Sequence, residues 1–322
     1  MICGFLVVDK PVGLTSHDVV AIIRSTTGIR KIGHTGTLDP FATGVLPLAI
    51  GRATRLIQYL DEDLKIYVAT VLLGVSTDTG DPTGEVREEK PVPELDEDRV
   101  RGVLDGMQGV RMQTPPMYSA VKVNGKRLYR YAREGKEVQV EARPIRIDSI
   151  ELLEFAPPRL RIRIQCGRGT YARVLAEEIA AELGTVGHLE SLRRSQSGHF
   201  IEAGALSMSE HAEIVAGTSD WKNALRPARG EERVPWNPRD SVQGAIRERV
   251  LSPNRALFHL PELQIPEPLV RRLIQSGQLA DIRPALPVDS LFRACSGDEM
   301  VALMRMESRG PRVLRMLAQL SD

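Results

Sequence analysis

The segment Lys31-Ile-Gly-His-Thr-Gly-Thr-Leu-Asp-Pro-Phe-Ala-Thr-Gly-Val-Leu46 gathers the residue types best suited to chemistry in this 322-residue chain. Its three glycines let the backbone turn tightly and approach a ligand closely. Asp39 precedes Pro40, which biases it toward an extended conformation. A carboxylate presented this way can act as a nucleophile or base, yet a lone Asp in a Gly-rich loop is also a common turn residue or cap. His34 is open in the same way, as a loop histidine or as a working side chain.

Several other chemistries are excluded. His34-Thr-Gly-Thr37 echoes the HxGH motif of nucleotidyltransferases, but Thr37 stands where the second His is needed. There is no P-loop, no HExxH and no Cys/His cluster at metal-ligand spacing, and no GxSxG nucleophile elbow. Cys3, Cys166 and Cys295 are far apart and form no CxxC pair, so no disulfide framework is expected and a reducing cytosol fits.

These residues need a scaffold. Gly4–Asp9 reads as a strand, and Thr15-Ser16 caps a helix running to about Ser25. Residues 28–44 lack periodicity and read as a loop. Ala53–Leu60 reads as a short amphipathic helix, Lys65–Leu73 as a strand, Thr77–Gly84 as turns and Glu94–Met107 as a helix. Tyr118–Val123 alternates and runs into Asn124-Gly125, a hairpin signal. Ile145–Leu153 and Leu160–Cys166 alternate as strands. Thr170 is predicted to cap a helix carrying Tyr171, Val174, Leu175, Ile179 and Leu183 on one side and ending at Gly184. The pattern predicts an α+β fold with a mixed, largely antiparallel sheet. Residues 1–216 would form one α+β domain. Residues 217–256 read as an irregular connector, helical around Val242–Val250. Residues 257–322 have the size of a small β-barrel, with a helix at Pro268–Ser276 and strands near Leu291–Cys295, Met300–Met306 and Val313–Leu317.

Hydrophobic residues make up 42% and charged residues 26% of the chain, which excludes disordered and collagen-like classes. No apolar run nears the ~18 residues of a spanning helix. Phe5-Leu-Val-Val8 is too short for a signal core, so no export leader is expected. The net charge is only +1, but it is unevenly spread. Residues 111–146 hold nine Lys/Arg against three Glu, residues 159–173 hold five Arg and no acid, and residues 85–105 hold eight acids against four bases. The basic stretches could bind phosphates or simply form a solvated surface.

Six segments, taken in order, resemble the bacterial tRNA pseudouridine synthase B family. They are Val8-Asp-Lys-Pro-Val-Gly-Leu-Thr-Ser16, the GHTGTLDPFATGVL loop, Lys65-Ile-Tyr-Val-Ala69, Gln113-Thr-Pro-Pro-Met-Tyr-Ser-Ala120 with Gly125–Gly135, Cys166-Gly-Arg-Gly-Thr-Tyr-Ala-Arg173, and His188-Leu-Glu-Ser-Leu-Arg-Arg194. The resemblance implies isomerisation of uridine 55 in the tRNA T loop. Asp39 would be the nucleophile, Tyr67 would lie against the uracil and take its C5 proton, and Arg173 would pair with Asp39. Tyr171 and Leu192 would wall the pocket, His34 would fill the gap left by the flipped base, and Lys10 would join the substrate-binding set. Residues 1–216 would be the catalytic domain, and the C-terminal module would be PUA-like and bind RNA. No cofactor or metal is expected, and tRNA, through its T arm, is the expected partner. The expected form is a cytoplasmic monomer needing no protein partner and no membrane. The nearest rival is a dyskerin-like, guide-dependent synthase, and a rival of another class is a non-catalytic tRNA-folding factor.

Overall fold

The computed structural model describes residues 2–61, 64–119, 121–123, 125–136, 138–225, 236–277 and 284–318. Strand Gly4–Lys10 is buried almost throughout. Alternation sends Leu6 and Val8 into one core and Phe5 and Val7 into another. Strand Thr43–Ile50 does the same, with Leu46, Leu48 and Ile50 on one side and Val45 and Ala49 on the other. Burial on both faces makes each a continuous apolar run rather than an alternating one.

These two strands pair antiparallel within a ten-stranded sheet. Its main path runs Leu206–Ser207, Gly4–Lys10, Thr43–Ile50, Gly187–Ser197, Lys65–Leu73, Arg159–Cys166, Arg143–Ala156, Gly109–Gln113. The sheet is mixed: Gly187–Ser197 runs parallel to Thr43–Ile50, and Leu206–Ser207 parallel to Gly4–Lys10. The fold is therefore α+β. Helices Ser16–Thr27, Glu97–Gly106, Ala172–Glu182, Met208–Ala216 and Arg239–Glu248 cover one face, contributing Val19, Leu104, Ile179, Val215 and Ile246 to the main core.

On the opposite face, beneath Phe5, Val7, Val45 and Ala49, lies the C-terminal module. Its four-stranded sheet comprises Glu262–Gln264, Leu291–Ser296, Glu299–Glu307 and Gly310–Met316, with helix Glu267–Ser276 packed on it through Val270 and Leu273. Leu257, Cys295, Met300, Leu303 and Leu317 share one apolar cluster with strands Gly4–Lys10 and Thr43–Ile50. Arg52 adds hydrogen bonds to the carbonyls of Leu317 and Ala318, at 2.9 and 2.7 Å. No helix among the described residues is long and apolar enough to cross a membrane.

The structure departs from the sequence reading in several elements. Residues 28–44 are not all loop: Ile32–His34 forms a short strand on Thr43–Ile50, through pairing that periodicity cannot reveal. Ala53–Leu60 is not an α-helix but falls into two 3₁₀ turns, Gly51–Arg55 and Ile57–Tyr59, whose bonds close three residues back, Leu56 N–H to the Ala53 carbonyl and Tyr59 N–H to the Leu56 carbonyl. Among the described residues of the expected 118–123 strand, Lys122–Val123 pairs, with Lys126–Arg127 across the Gly125 turn, while Ala120 and Asn124 lie outside the described residues. Thr170 does not cap the following helix. Tyr171 holds the N-cap, and the Thr170 hydroxyl donates to the Gly167 carbonyl. The described part of the 217–256 segment is not irregular throughout: it holds helices at Trp221–Ala224, Arg239–Glu248 and Pro253–Ala256.

Candidate active site

Asp39 sits in the loop between strands Ile32–His34 and Thr43–Ile50, and the loop is clamped from below. The Ser16 hydroxyl accepts from Leu38 N–H at 2.9 Å and donates to the Leu38 carbonyl at 3.2 Å. Gly13 N–H donates to the Pro40 carbonyl at 2.8 Å. The Lys10 ammonium, fully buried, donates to the carbonyls of Leu14, Pro11 and Pro40 at 2.7, 2.9 and 3.3 Å. These bonds tie the Asp39 turn to the first strand and the first helix.

Arg173 reaches the loop from the first turn of helix Ala172–Glu182. That helix start has no side-chain cap of its own. Gln113 pins it instead, accepting from Tyr171 N–H at 2.8 Å and donating to the Tyr171 carbonyl at 3.3 Å. Arg173 Nε lies 3.1 Å from Asp39 Oδ2, while its other two nitrogens donate to the carbonyls of Thr79 and Tyr118, each at 2.8 Å. A second carboxylate, Asp81, stands 3.8 Å away. Every arm of the buried guanidinium therefore has a fixed partner, which sets its direction.

Burial pushes the Asp39 carboxyl above the ordinary Asp range, and the nearby Asp81 charge adds to that push. The Arg173 guanidinium opposes it. His34 packs edge-on against His17, ring centroids 5.1 Å apart. Burial, with repulsion from His17 and Arg194, lowers its pKa to about 4, so the imidazole is neutral at physiological pH.

Two cavities meet at the Asp39–Arg173 pair. The inner one, about 180 Å³, is lined by Tyr67, Tyr171, Leu192, Ala172 and Ser119 as well as by the pair. It has room for a single flat ring. The outer cleft, about 730 Å³, is lined by His34, His17, Asp81, Arg127 and Tyr129, and the pair again belongs to its wall. A carboxylate at the neck between a ring-sized pocket and an open cleft suits a substrate that inserts a base and leaves its backbone outside.

Residues 24–172 match the family described as TruB family pseudouridylate synthase (N terminal domain). The chain is 41% identical over 284 residues to tRNA pseudouridine synthase B of Bacillus licheniformis, an alignment spanning 86% of this chain and 83% of that protein. The chain belongs to the TruB family of pseudouridylate synthases. It is 47% identical over 212 residues to tRNA pseudouridine synthase B of Geobacter sulfurreducens, covering 66% of this chain and 70% of that one. Among solved structures it resembles a Cbf5-Nop10-Gar1 complex, with a TM-score of 0.65 and 26% identity over 98% of this chain and 84% of that one.

The fold of this TruB-family chain brings together six of the seven residues expected from sequence. Asp39, Arg173, Tyr67, Tyr171 and Leu192 line the inner cavity, and His34 lines the outer cleft. Lys10 is the exception. It lines neither cavity, and its ammonium donates to backbone carbonyls that hold the Asp39 loop. The basic stretch 159–173 also divides. Ile164 is paired with Tyr67 and shares its face, so Arg159, Arg161 and Arg163 point to the opposite side of the sheet, where Arg159 binds Glu190. That stretch offers no continuous phosphate track beside the cleft.

Asp81 and Arg194 were missed by sequence reading. Asp81 lay in a segment read only as turns. Arg194 was visible as the end of the His188–Arg194 segment, but its burial depends on strand neighbours distant in sequence.

Proposed function

We propose that this chain converts uridine 55 in the T loop of tRNA to pseudouridine, with Asp39 as the nucleophile acting on a flipped-out base. The observation that carries the proposal is the Asp39–Arg173 pair at the neck between the ring-sized cavity and the cleft. The reaction breaks the N1–C1′ bond, rotates the uracil and joins C5 to C1′, while a proton leaves C5 and N1 gains one. Atoms balance within the nucleotide and solvent, so no second substrate is needed. Asp39, kept ionised by Arg173, attacks the nucleotide, and the walls of Tyr67, Tyr171 and Leu192 hold the freed base away from water. Tyr67 takes the C5 proton.

A stacked base cannot enter such a pocket, so the nucleotide swings out at a cost of a few kcal/mol. The neutral His34 and its neighbour His17 stand at the cleft, where an imidazole can fill the vacated place in the RNA. Arg127 on the cleft wall supplies charge for phosphates. We further assign residues 1–216 to a catalytic domain, 217–256 to a connector and 257–322 to a PUA-like RNA-binding module, and place the protein in the cytoplasm as a monomer that acts without protein partners. The structural likeness to a chain from a multi-protein complex keeps the guide-dependent rival in view. The higher identities to tRNA pseudouridine synthase B proteins favour stand-alone action on tRNA.

The test uses purified protein and an unmodified tRNA transcript, with pseudouridine mapped by carbodiimide labelling and primer extension. A single stop at position 55 without added protein or guide RNA is expected. Product only with a guide RNA, or at another position, would sink the assignment.

A further inference from the structure

We propose that Arg194 is a positioning residue of the reaction, a buried guanidinium that fixes the Asp39 loop against Tyr67 and supplies the positive charge Tyr67 needs to act as base. The proposal rests on the reading of Tyr67 given above.

Arg194 sits near the end of strand Gly187–Ser197, with Gly44 directly beside it on one neighbouring strand and Tyr67 directly beside it on the other. Directly opposed residues of an antiparallel pair project from the same face. Arg194 is among the largest fully buried side chains. Its Nε donates to the Val45 carbonyl at 2.8 Å, and its terminal nitrogens donate to the carbonyls of Gly36 and Thr37 at 3.1 and 3.5 Å. Gly36 and Thr37 lead into Asp39 and Val45 lies beyond it, so one guanidinium grips the loop on both sides of the carboxylate. In the sheet register it also stands beside Tyr67, with both side chains on the same face.

Arg173 spends its charge on Asp39 and Asp81. Arg194 makes no ion pair with a carboxylate among the described residues. Its planar fork is satisfied by neutral carbonyls, and its charge stays unneutralised in the interior. A buried cation without a counter-ion is costly, and the group placed to gain from it is the phenol beside it. Burial pushes the Tyr67 hydroxyl above its ordinary value, and the Arg194 charge and hydrogen bond are the leading opposing influences. The other titratable groups around Tyr67 act the opposite way. Asp39 disfavours the phenolate by its charge, while Cys166 on the adjoining strand, its thiol pushed up to about 11 by burial, is neutral near pH 7 and adds a charge against the phenolate only in alkali. Arg173, in the wall of the same cavity, is already held by two carboxylates.

The proton balance is simple. Tyr67 enters the step as phenolate, having released its proton to solvent. It takes the C5 proton and ends as phenol, while Arg194 keeps its own protons throughout.

The test compares wild type with Arg194→Lys and Arg194→Met, each checked for an intact thermal transition. Protein labelled with 3-fluorotyrosine gives a fluorine resonance for Tyr67, assigned by its loss in Tyr67→Phe. In Arg194→Met the Tyr67 resonance should titrate at higher pH by about one unit, since an adjacent opposite charge is worth one to three. The alkaline rise of the single-turnover rate on a T-arm hairpin should move upward with it, lowering the rate at neutral pH by at least about tenfold. Arg194→Lys keeps the charge, so its titration should stay near wild type while the rate falls less. An unmoved Tyr67 titration in folded Arg194→Met would overturn the proposal. So would a rate reduced by one factor at every pH, which would mark Arg194 as purely structural. Near-normal turnover of Tyr67→Phe would overturn the base role of Tyr67 itself, and it is read without any Arg194 variant.

Discussion

At the scale of single residues, the proposed reaction requires Asp39 to be ionised. Burial and Asp81 push its carboxyl up, and Arg173 pulls it back. Removing the guanidinium in Arg173→Ala therefore raises the Asp39 pKa further. The neutral acid then persists to higher pH, so the acidic limb of the single-turnover profile should move upward, with a rate lower at pH 7 that partly recovers as pH rises. Arg173→Lys keeps a charge but loses the fork that binds Asp39, Thr79 and Tyr118 together, so it should fall between. An acidic limb that stays in place in Arg173→Ala would detach Arg173 from the nucleophile. Asp39, Tyr67 and Arg173 were legible because each lies inside a recognisable segment. Lys10 lies in such a segment too, yet its ammonium turned inward to carbonyls, a direction no motif encodes. Lys10→Met should lower the conversion rate through loop displacement while leaving RNA affinity within about tenfold, since phosphate contacts dominate binding. Binding assays paired with single-turnover rates check this, and a selective loss of affinity would restore a ligand role.

At the scale of elements, the site depends on strand Gly187–Ser197, which sequence reading did not identify as a strand. Register shifts after Leu189 and Arg194 break its alternation, so its pattern matches neither a strand nor a helix. Strands Lys65–Leu73 and Arg159–Cys166 alternate or carry β-branched runs and were legible. The close seam beside the Asp39 loop adds a requirement of its own. Gly44 takes φ +101°, and a Cβ there would come 2.2 Å from the Arg194 carbonyl oxygen. Gly44→Ala should thus combine backbone strain with a clash, costing on the order of 3 kcal/mol. Gly36→Ala is the control, because its Cβ would meet only an Arg194 nitrogen at 3.6 Å, an ordinary contact. Thermal melts should drop by several degrees for Gly44→Ala and little for Gly36→Ala. Equal melts would mean that the seam is not tightly packed.

At the scale of the whole molecule, two modules share an apolar cluster. A chain ended at Leu257 keeps every residue proposed for chemistry, but it strips Cys295, Met300, Leu303 and Leu317 from Phe5, Val7, Val45 and Leu56. Fully buried large apolar side chains are worth roughly 1.5–3 kcal/mol each, so the truncated chain should melt well below the full one or aggregate. An unchanged melting temperature would show that the modules are thermodynamically independent. The change of composition after about residue 215 and the alternating patterns beyond Leu260 suggest a separate C-terminal module, but neither could show that it covers the face behind Gly4–Lys10 and Thr43–Ile50. The central claim, that a carboxylate in the Gly-rich loop isomerises tRNA uridine, is tested most directly by Asp39→Asn, which removes the charge and little volume. Wild type should form pseudouridine in a T-arm hairpin under single-turnover conditions. Asp39→Asn should form none while binding the RNA within about tenfold, or ~1.4 kcal/mol. Turnover by Asp39→Asn in a preparation free of other synthases would contradict the account.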